Sequence, residues 1–196
     1  MKLYGSLTSP FVRKVRIVAA ELGEPLELVD AMTEPGLSQL KAVSPIWKIP
    51  VAEVDGRTIY DSRAIVSWLL MTRGYGPLAP PRDPIASSNL QNAIDSVLES
   101  LVPVFYLKRD GLQVENLPWA QRQLDRSKAV LDWIGTEYVA GRFGRELGVN
   151  EVALICALDW LDLRQMYPTA RHEAALGAFR RAHRARPSFS STSPPR

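Results

Sequence analysis

The chain has 196 residues, of which 46% are hydrophobic and 23% are charged, and its formal net charge is +3 at neutral pH. This length and apolar content suffice for one large domain or two small domains, each with a hydrophobic core. A single cysteine excludes an intrachain disulfide, and the lack of a signal segment or a membrane-spanning apolar run leads us to expect a cytoplasmic protein without a membrane partner.

The first candidate site lies where a short strand, residues 2–4, turns into a helix over residues 10–22. Ser9 is a preferred N-cap residue, and Pro10 loses nothing by following it, because its missing N–H would be unpaired there anyway. One apolar face of the helix is formed by Phe11, Val15, Val18 and Leu22. The simplest interpretation of Ser9 is a helix cap.

Three cations crowd the first turns of this helix: Arg13, Lys14 and Arg16. The helix macrodipole already places positive partial charge there, so each cation costs roughly 0.3–1 kcal/mol, whereas an anion would be stabilised by a similar amount. A second interpretation of this stretch is therefore an anion-binding corner behind the Ser9 hydroxyl.

The next segments predict a mixed sheet with helices packed on it. A strand over residues 27–30 is followed by an irregular stretch that contains Pro35 and Gly36. Asp55-Gly56 then separates two short apolar strands, which is a strong hairpin signal. The order of these segments, with a helix after the hairpin that stops near Gly74, is typical of an α/β domain.

Pro50 marks the second candidate site, between an apolar residue and the strand that opens the hairpin. A cis Ile49–Pro50 bond would leave the backbone N–H and C=O of Ile49 unpaired, ready to pair with an extended peptide-like ligand. The alternative is an ordinary trans proline at a sheet edge, which the frequency of X–Pro bonds favours.

Asp61-Ser62 forms the third candidate site, at the start of the following helix. A hydroxyl, free backbone N–H groups and the helix dipole together suit a carboxylate, and the neighbouring Asp61 side chain suits an ammonium group. Simple helix capping by this pair is again the alternative.

A proline-rich stretch divides the chain into two parts. Four prolines fall within residues 75–84. We therefore predict three segments: a first domain over residues 1–76, a linker over 77–84 and an all-helical second domain over 85–196. The predicted helices of the second domain cover residues 85–108, 118–134, 149–166 and 169–184. We expect Cys156 to be buried and the chain from Pro187 to lack regular structure.

Metal and nucleic-acid chemistry find little support in the sequence. The two histidines, His172 and His183, lie in the last predicted helix and are expected at the surface, so we predict no metal site and no Ser–His relay. The basic face of that helix is expected to face solvent, with an anionic partner as the alternative. No basic stripe alternates with aromatic residues, so no nucleic-acid partner is expected.

Taken together, the three sites have the order and spacing of a known family. Ser9-Pro10-Phe11-Val12 after the first strand, Ile49-Pro50 before the hairpin and Asp61-Ser62 after it resemble the thioredoxin-like domain of bacterial cytosolic glutathione S-transferases. The proline-rich linker and the helical remainder resemble that family's second domain, so the resemblance covers essentially the whole chain. It implies a thioredoxin-like α/β domain followed by an all-α domain.

The resemblance also implies how these residues would bind glutathione as a co-substrate. Ser9, at the family's activating position, would donate a hydrogen bond to the glutathione sulfur and hold it as the thiolate. Ile49 would pair through its main chain with the cysteinyl unit, with Pro50 as the cis proline. The Asp61-Ser62 pair would hold the γ-glutamyl end, the aspartate at its ammonium group and the serine at its carboxylate.

The implied activity is the addition of glutathione to a small hydrophobic electrophile in detoxification, or a related step such as isomerisation, by a homodimer. Phe11 is expected to contact bound glutathione. With Trp47 and apolar residues of the helix over 85–108, Phe11 is also a candidate for lining the electrophile pocket. The alternative function is a non-catalytic protein of the same fold that binds a protein partner through its basic helix, residues 169–186.

The sequence departs from the family's pattern at three places. The usual Glu-Ser pair is Asp61-Ser62 here, one methylene shorter. Trp47 stands where glycine is usual, which places a large ring beside the site or packs it on the second domain. At the start of the central helix, Gly148 and Glu151 keep only the acidic half of the usual capping box.

Overall fold

The computed structural model of the chain describes residues 1–195, so Arg196, the last residue of the predicted helical domain, lies outside the described residues. The internal contacts group the chain into two compact units. The sheet unit comprises Met1–Ala79 together with the chain from Arg184 onward, and the helical unit comprises Pro80–His183. The division after Ala79 falls inside the predicted linker over residues 77–84.

The sheet unit begins with four short strands and three helices. The strands are β1 (Lys2–Gly5), β2 (Glu27–Asp30), β3 (Val51–Val54) and β4 (Arg57–Tyr60). The helices are α1 (Pro10–Glu21), α2 (Glu34–Val43) and α3 (Ser62–Arg73). The sheet order is β2-β1-β3-β4, in which β1 is parallel to β2 and the other two pairs are antiparallel. The sheet therefore contains both parallel and antiparallel pairs, which confirms the predicted mixed sheet. The parallel pair needs a crossover connection, which α1 supplies.

The stretch after β2 is helical, so the predicted irregular conformation around Pro35 and Gly36 is wrong. Thr33 caps α2 by accepting a hydrogen bond from the Gly36 N–H at 3.4 Å. Pro35 stands in the first turn, where its missing N–H costs nothing. Gly36 has no room for a side chain, because a Cβ there would lie 2.0 Å from the Asp30 carbonyl oxygen. Both residues therefore suit the start of a helix.

Asp55 and Gly56 form the turn between β3 and β4, which confirms the predicted hairpin. Their φ angles are 48° and 72°, so both residues adopt the left-handed conformation. A two-residue turn with two positive φ angles matches the right-handed twist of the flanking strands.

Besides two short 3₁₀ helices, the helical unit contains four α-helices, the last of which extends one residue beyond the unit. They are α4 (Pro84–Arg109), α5 (Pro118–Val139), α6 (Val149–Arg164) and α7 (Glu173–Arg184). Residues 150–161 of α6 are all buried, so this helix runs through the core as its apolar composition predicts. Cys156 is 2% exposed, which confirms the predicted buried thiol. Within residues 1–195, we find neither a helix able to cross a membrane nor three grouped His, Cys, Asp or Glu side chains that could hold a metal ion.

Glu151 ties the loop before α6 to the first turn of that helix. Its two carboxylate oxygens accept hydrogen bonds from the N–H groups of Gly144 and Gly148, both at 2.9 Å. Gly148 is the N-cap residue and has no side chain to return the bond, so only the acidic half of the capping box is present, as predicted. A carboxylate in the first turn also complements the helix dipole.

Both histidines are buried, so their predicted surface positions are wrong. His172 and His183 are each 7% exposed. His172 stacks on the Tyr167 ring, and its Nε2 lies 3.0 Å from the Tyr167 hydroxyl oxygen. His183 packs edge-on against Phe179, and its Nε2 donates to the Gly144 carbonyl oxygen at 3.3 Å. Burial is tolerated because each imidazole finds a hydrogen-bond partner within the helical unit.

The end of the chain forms a short helix, α8 (Pro187–Ser190), so the predicted lack of regular structure from Pro187 is wrong. Phe189 is buried, with 1% exposure. Helix α8 packs on α1, which places it in the sheet unit rather than in the helical domain predicted over residues 85–196. A buried aromatic ring and hydrogen bonds to α1 explain why a stretch rich in proline and serine adopts regular structure here.

Candidate functional site

Three short segments meet at one end of the sheet, next to a row of paired residues. The row consists of Tyr4 in β1, Val51 in β3 and Tyr60 in β4. The chain leaves this row toward Ser9 after β1, returns to it through Pro50 before β3, and leaves it again toward Asp61 after β4. Neighbouring strands lie about 4.8 Å apart, so roughly 10 Å separate β1 from β4. The register therefore brings the three sequence-predicted sites to the same end of the sheet, beside this row.

Ser9 caps α1, as predicted. Its Oγ accepts a hydrogen bond from the Val12 N–H at 3.3 Å, and its backbone is extended, with φ −77° and ψ 125°. A serine hydroxyl carries one donor and two acceptor positions, so this bond leaves the hydroxyl proton for another acceptor. Because Ser9 is only half-buried, the same hydroxyl is able to cap the helix and to donate to a ligand atom.

Two further hydroxyl groups lie in the loop before Ser9. Ser6 Oγ lies 3.1 Å from Thr8 Oγ1 and accepts a hydrogen bond from the Thr8 N–H at 3.3 Å. The Ser9 N–H donates to the Ser6 carbonyl oxygen at 3.1 Å, which closes the turn. The sequence prediction did not single out Ser6 and Thr8, although several hydroxyl side chains between a strand and a helix are a usable signal for such a turn.

The cations near the start of α1 have contacts within the protein. Arg13 and Lys14 are 3% and 2% exposed. The Arg13 Nη2 donates to the carbonyl oxygen of Phe189 at 3.3 Å. The Lys14 Nζ lies 5.8 Å from the centre of the Phe11 ring. Burial with protein contacts favours a structural role for Arg13 and Lys14.

The Ile49–Pro50 peptide bond is cis, as predicted. Pro50 is buried directly before β3. The Ile49 side chain packs against a buried cluster formed by Tyr4, Ala31, Leu40 and Val51. This packing anchors Ile49 beside the first residue of β3, at the edge where the three segments meet.

Trp47 lies two residues before Ile49 and has a left-handed backbone. Its φ is 51° and it is 60% exposed. This conformation is rare for bulky residues and easy for glycine, which is the physical reason why glycine suits the position. The Lys41 Nζ lies 5.1 Å from the centre of the indole ring. A large aromatic surface is therefore exposed close in sequence to the predicted peptide-binding segment.

Asp61 caps α3 in a strained backbone conformation. Its Oδ1 accepts a hydrogen bond from the Arg63 N–H at 2.7 Å, which confirms the predicted cap. Its φ and ψ are 74° and 138°. This region costs a residue other than glycine about 1–3 kcal/mol, and such strain is concentrated at functional sites. Ser62, the first residue of α3, is buried.

Comparisons with known proteins identify the fold of the chain. Residues 3–77 match the family of glutathione S-transferase N-terminal domains. A glutathione S-transferase of Methylobacillus flagellatus KT, solved with glutathione bound, is 27% identical, and the match covers 99% of each chain with a TM-score of 0.84. This chain has the glutathione S-transferase fold. The predicted fold class, a thioredoxin-like domain followed by a helical domain, is thereby confirmed.

Two further relatives are similar to this chain over most of its length. The uncharacterized GST-like protein YibF of Escherichia coli K12 is 28% identical over 174 residues, which are 86% of this chain and 85% of that protein. The maleylacetoacetate isomerase of Rattus norvegicus is 27% identical over 162 residues, which are 78% of this chain and 74% of that protein.

Proposed function

We propose that this chain is a glutathione transferase that binds glutathione on its sheet unit and adds the thiolate to a small hydrophobic electrophile. The observation that carries this proposal is the sheet register, which brings the segments around Ser9, Pro50 and Asp61 to one end of the sheet. The bound glutathione in the M. flagellatus relative, which has the same fold, supports it.

The spacing of the three segments suits one tripeptide. An extended tripeptide spans about 10 Å, close to the separation of β1 and β4. The backbone of Ile49 would pair with the cysteinyl unit in the manner of an added strand. The Ser62 hydroxyl and the first N–H groups of α3 would bind the γ-glutamyl carboxylate. The Asp61 oxygen that is not used in capping would bind the ammonium group.

The chemistry depends on holding the glutathione sulfur as a thiolate, which is the nucleophilic form. Lowering the pKa of a thiol by about two units requires roughly 2.7 kcal/mol. A hydroxyl that donates to a charged acceptor contributes about 1.5–3 kcal/mol, and the start of α1 adds roughly 0.3–2 kcal/mol. These contributions are sufficient to lower the pKa of the thiol without ionising Ser9. The Ser9 hydroxyl therefore keeps its proton, and the nucleophile is the glutathione sulfur. The thiol proton passes to water and the thiolate forms the new C–S bond; with a chlorinated aromatic electrophile, the C–Cl bond breaks and chloride leaves.

Phe11 and Trp47 are aromatic side chains of the sheet unit that lie two residues in sequence from Ser9 and from Ile49, respectively. Flat apolar molecules stack on exposed aromatic rings, so chlorinated nitroaromatics are suitable first electrophiles. The rat relative is named as an isomerase, so maleylacetoacetate belongs in the same panel.

Substitutions at Ser9 test the thiolate mechanism. Ser9→Ala removes the hydroxyl and weakens the α1 cap by about 1 kcal/mol, whereas Ser9→Gly removes the hydroxyl but costs only a few tenths of a kcal/mol as a cap. We expect both variants to lose the ultraviolet thiolate absorbance of bound glutathione and roughly 10²-fold in kcat, the usual cost of removing one donor to a developing or bound anion.

The matched variant Ser9→Thr keeps a hydroxyl and should keep the thiolate absorbance. If glutathione bound to Ser9→Gly becomes a thiolate at the same pH as in wild type, the assignment of Ser9 as the thiolate-stabilising residue is wrong. Calorimetry with glutathione separates this effect from a loss of binding.

The alternative is a non-catalytic protein of the same fold that binds a partner through its basic helix. The Arg180 guanidinium already pairs with Asp159 at 3.2 Å and with Asp162. Arg181 pairs with Glu173 at 2.6 Å. These pairs occupy arginines that an acidic partner would need. Retention on immobilised glutathione without turnover of any electrophile in the panel would favour this alternative.

A homodimer in the cytoplasm is part of the same proposal. Large apolar side chains of the sheet unit are exposed in the single chain, among them Met71 at 85% and Tyr60 at 37%. Exposed apolar surface of this kind favours burial against a second copy. Analytical ultracentrifugation should show a dimer, and a monomer at every concentration would contradict this part of the proposal.

A further inference from the structure

Residues 186–189 form a C-terminal clasp along α1. At the end of α1, the Arg186 guanidinium donates two hydrogen bonds to the Glu21 carboxylate, Nε to Oε1 at 3.0 Å and Nη2 to Oε2 at 2.7 Å. The Ser188 hydroxyl donates a third hydrogen bond to the same carboxylate. The Glu21 side chain is 7% exposed, so these three donors replace the water that a carboxylate otherwise binds.

The other end of the C-terminal clasp reaches the first turns of α1. The Phe189 carbonyl oxygen accepts the hydrogen bond from Arg13 Nη2, and both residues are buried. Arg13 also donates its backbone N–H to the Ser9 carbonyl oxygen at 3.0 Å. Arg13 and Glu21 are about 12 Å apart along the helix axis. The C-terminal clasp therefore spans most of α1 and ends beside the turn that carries Ser9.

Contacts at both ends of α1 link the C-terminal clasp to Ser9. Without Arg186, the Glu21 carboxylate loses its cation and keeps only the Ser188 donor, so it must either turn toward water or admit water into the space that the guanidinium filled. Either change displaces the end of α1, and close-packed interiors transmit such displacements. A shift of about 1 Å far from the reacting atoms is enough to cost up to 10²-fold in rate.

We propose that Arg186, Ser188 and Phe189 are positioning residues: by holding α1 at both ends, they fix the Ser9 hydroxyl where it meets the glutathione sulfur. This inference rests on the proposed function. The three residues act through α1. A purely structural clasp would stabilise the sheet unit and leave the Ser9 turn unchanged, so the two roles differ in measurements made at that turn.

The first measurement uses the ligand-free protein and follows amide hydrogen exchange at Val12, whose N–H donates to Ser9 Oγ. Arg186→Ala should speed exchange at Val12 by about tenfold or more, because opening of the capped turn becomes easier. The matched control is Arg181→Ala, which removes the exposed ion pair with Glu173 and should leave Val12 unchanged. Equal rates in Arg186→Ala and wild type would overturn the coupling.

The second measurement uses glutathione. Arg186→Ala should lower kcat about tenfold and raise the pH at which bound glutathione becomes a thiolate. The KM for glutathione should change by less than about twofold, since the two segments proposed to bind the peptide backbone and its γ-glutamyl end, around Ile49 and at Asp61-Ser62, lie outside α1. Charge reversal, Glu21→Arg with Arg186→Glu, rebuilds the ion pair and should recover most of the loss.

A lower melting temperature with an unchanged thiolate titration would overturn the positioning role. If Arg186→Ala does not fold, Ser188→Ala removes one hydrogen bond of the three and serves for the same comparisons. If wild-type protein forms no glutathione thiolate, the proposed function fails, and exchange at Val12 still decides whether the C-terminal clasp controls the Ser9 turn. If wild type forms the thiolate and Arg186→Ala titrates identically, only the inference fails.

Discussion

Asp61 combines a helix cap with a backbone conformation that suits glycine better. Replacing it with glycine should therefore stabilise the free protein while weakening glutathione binding. Relief of strain is worth about 1–3 kcal/mol, whereas glycine as the cap costs only a few tenths. Urea denaturation should show a higher midpoint at an unchanged m-value, and calorimetry should show weaker glutathione binding.

The matched control is Asp61→Asn, which keeps a capping oxygen and removes only the charge. It should weaken glutathione binding without the gain in stability. A glycine variant less stable than wild type would show that the conformation at position 61 carries no strain.

His172 gives the helical unit a pH dependence. Burial lowers the pKa of His172 below its ordinary value of 6.5, and the nearby Asp132 carboxylate only partly opposes this. Because the unfolded chain takes up the proton first, stability should fall as the pH drops below about 6.5, by at most about 1.4 kcal/mol per pH unit. Denaturation from about pH 8 downward should show this slope in wild type and a flatter one in His172→Gln. If the stability of wild type and of His172→Gln falls with the same slope against pH, His172 is not the source of the pH dependence.

At the residue scale, the sequence predicts those properties of a residue that its neighbours in sequence determine. Ser9 and Asp61 each follow a strand and precede a helix, so their capping roles follow from local chemistry. The burial of His172 and His183 does not, because it depends on groups that are distant in sequence, such as Asp132 beside His172 and the Gly144 carbonyl oxygen beside His183. The same holds for the left-handed backbone of Trp47, which nothing in the neighbouring residue types favours.

At the scale of elements, Glu151 keeps the acidic half of a capping box by binding the Gly148 N–H and also binds the N–H of Gly144 in the preceding loop. Glu151→Ala should destabilise the helical unit by roughly 3 kcal/mol, because each hydrogen bond to a charged acceptor contributes about 1.5–3 kcal/mol. Glu151→Gln keeps one acceptor oxygen and should lose about half as much. Chemical denaturation followed by circular dichroism measures both.

The control for Glu151 is Glu146→Ala in the preceding loop. Glu146 pairs only at 3.6 Å with Arg82, and both side chains are exposed, so its loss should cost less than about 1 kcal/mol. Equal losses for the two variants would mean that the hydrogen bonds of Glu151 do not hold the start of α6.

Elements with a local signal are the ones that the sequence predicts well. The Asp55-Gly56 hairpin depends on two residues that favour positive φ angles, and α6 depends on its uniform apolar composition. The sequence predicts an irregular conformation at the start of α2 because Pro35 and Gly36 usually interrupt helices. Their place in the first turn, beside the Asp30 carbonyl oxygen, is visible only once the chain has folded.

At the scale of the whole molecule, the least predictable feature joins two segments that are far apart in the sequence. Arg186 and Glu21 are 165 residues apart, so no local pattern connects them. The sequence predicts the three candidate sites because each is local and the strand order is simple. It does not predict the C-terminal clasp, because Pro187 and its serine-rich surroundings resemble an irregular tail.

The C-terminal clasp should also set the acid stability of the sheet unit. The Arg186 guanidinium is the main cause of the pKa of Glu21 lying below its ordinary value of 4.5. A lowered folded-state pKa means that this stabilisation is complete above about pH 4.5 and is lost as the pH falls through the folded pKa. The stability difference between wild type and Glu21→Gln should therefore be constant from about pH 8 to 5 and shrink in stronger acid. A difference that persists unchanged in acid would contradict this account.

The order of synthesis gives the C-terminal clasp one more consequence. On the ribosome, β1 and α1 are made before α8, and Glu21 cannot meet Arg186 until 165 further residues have been translated. The nascent sheet unit must remain unfinished throughout that interval. A polypeptide released before Phe189 would carry every residue of the proposed glutathione site and still lack the support of the helix that presents Ser9.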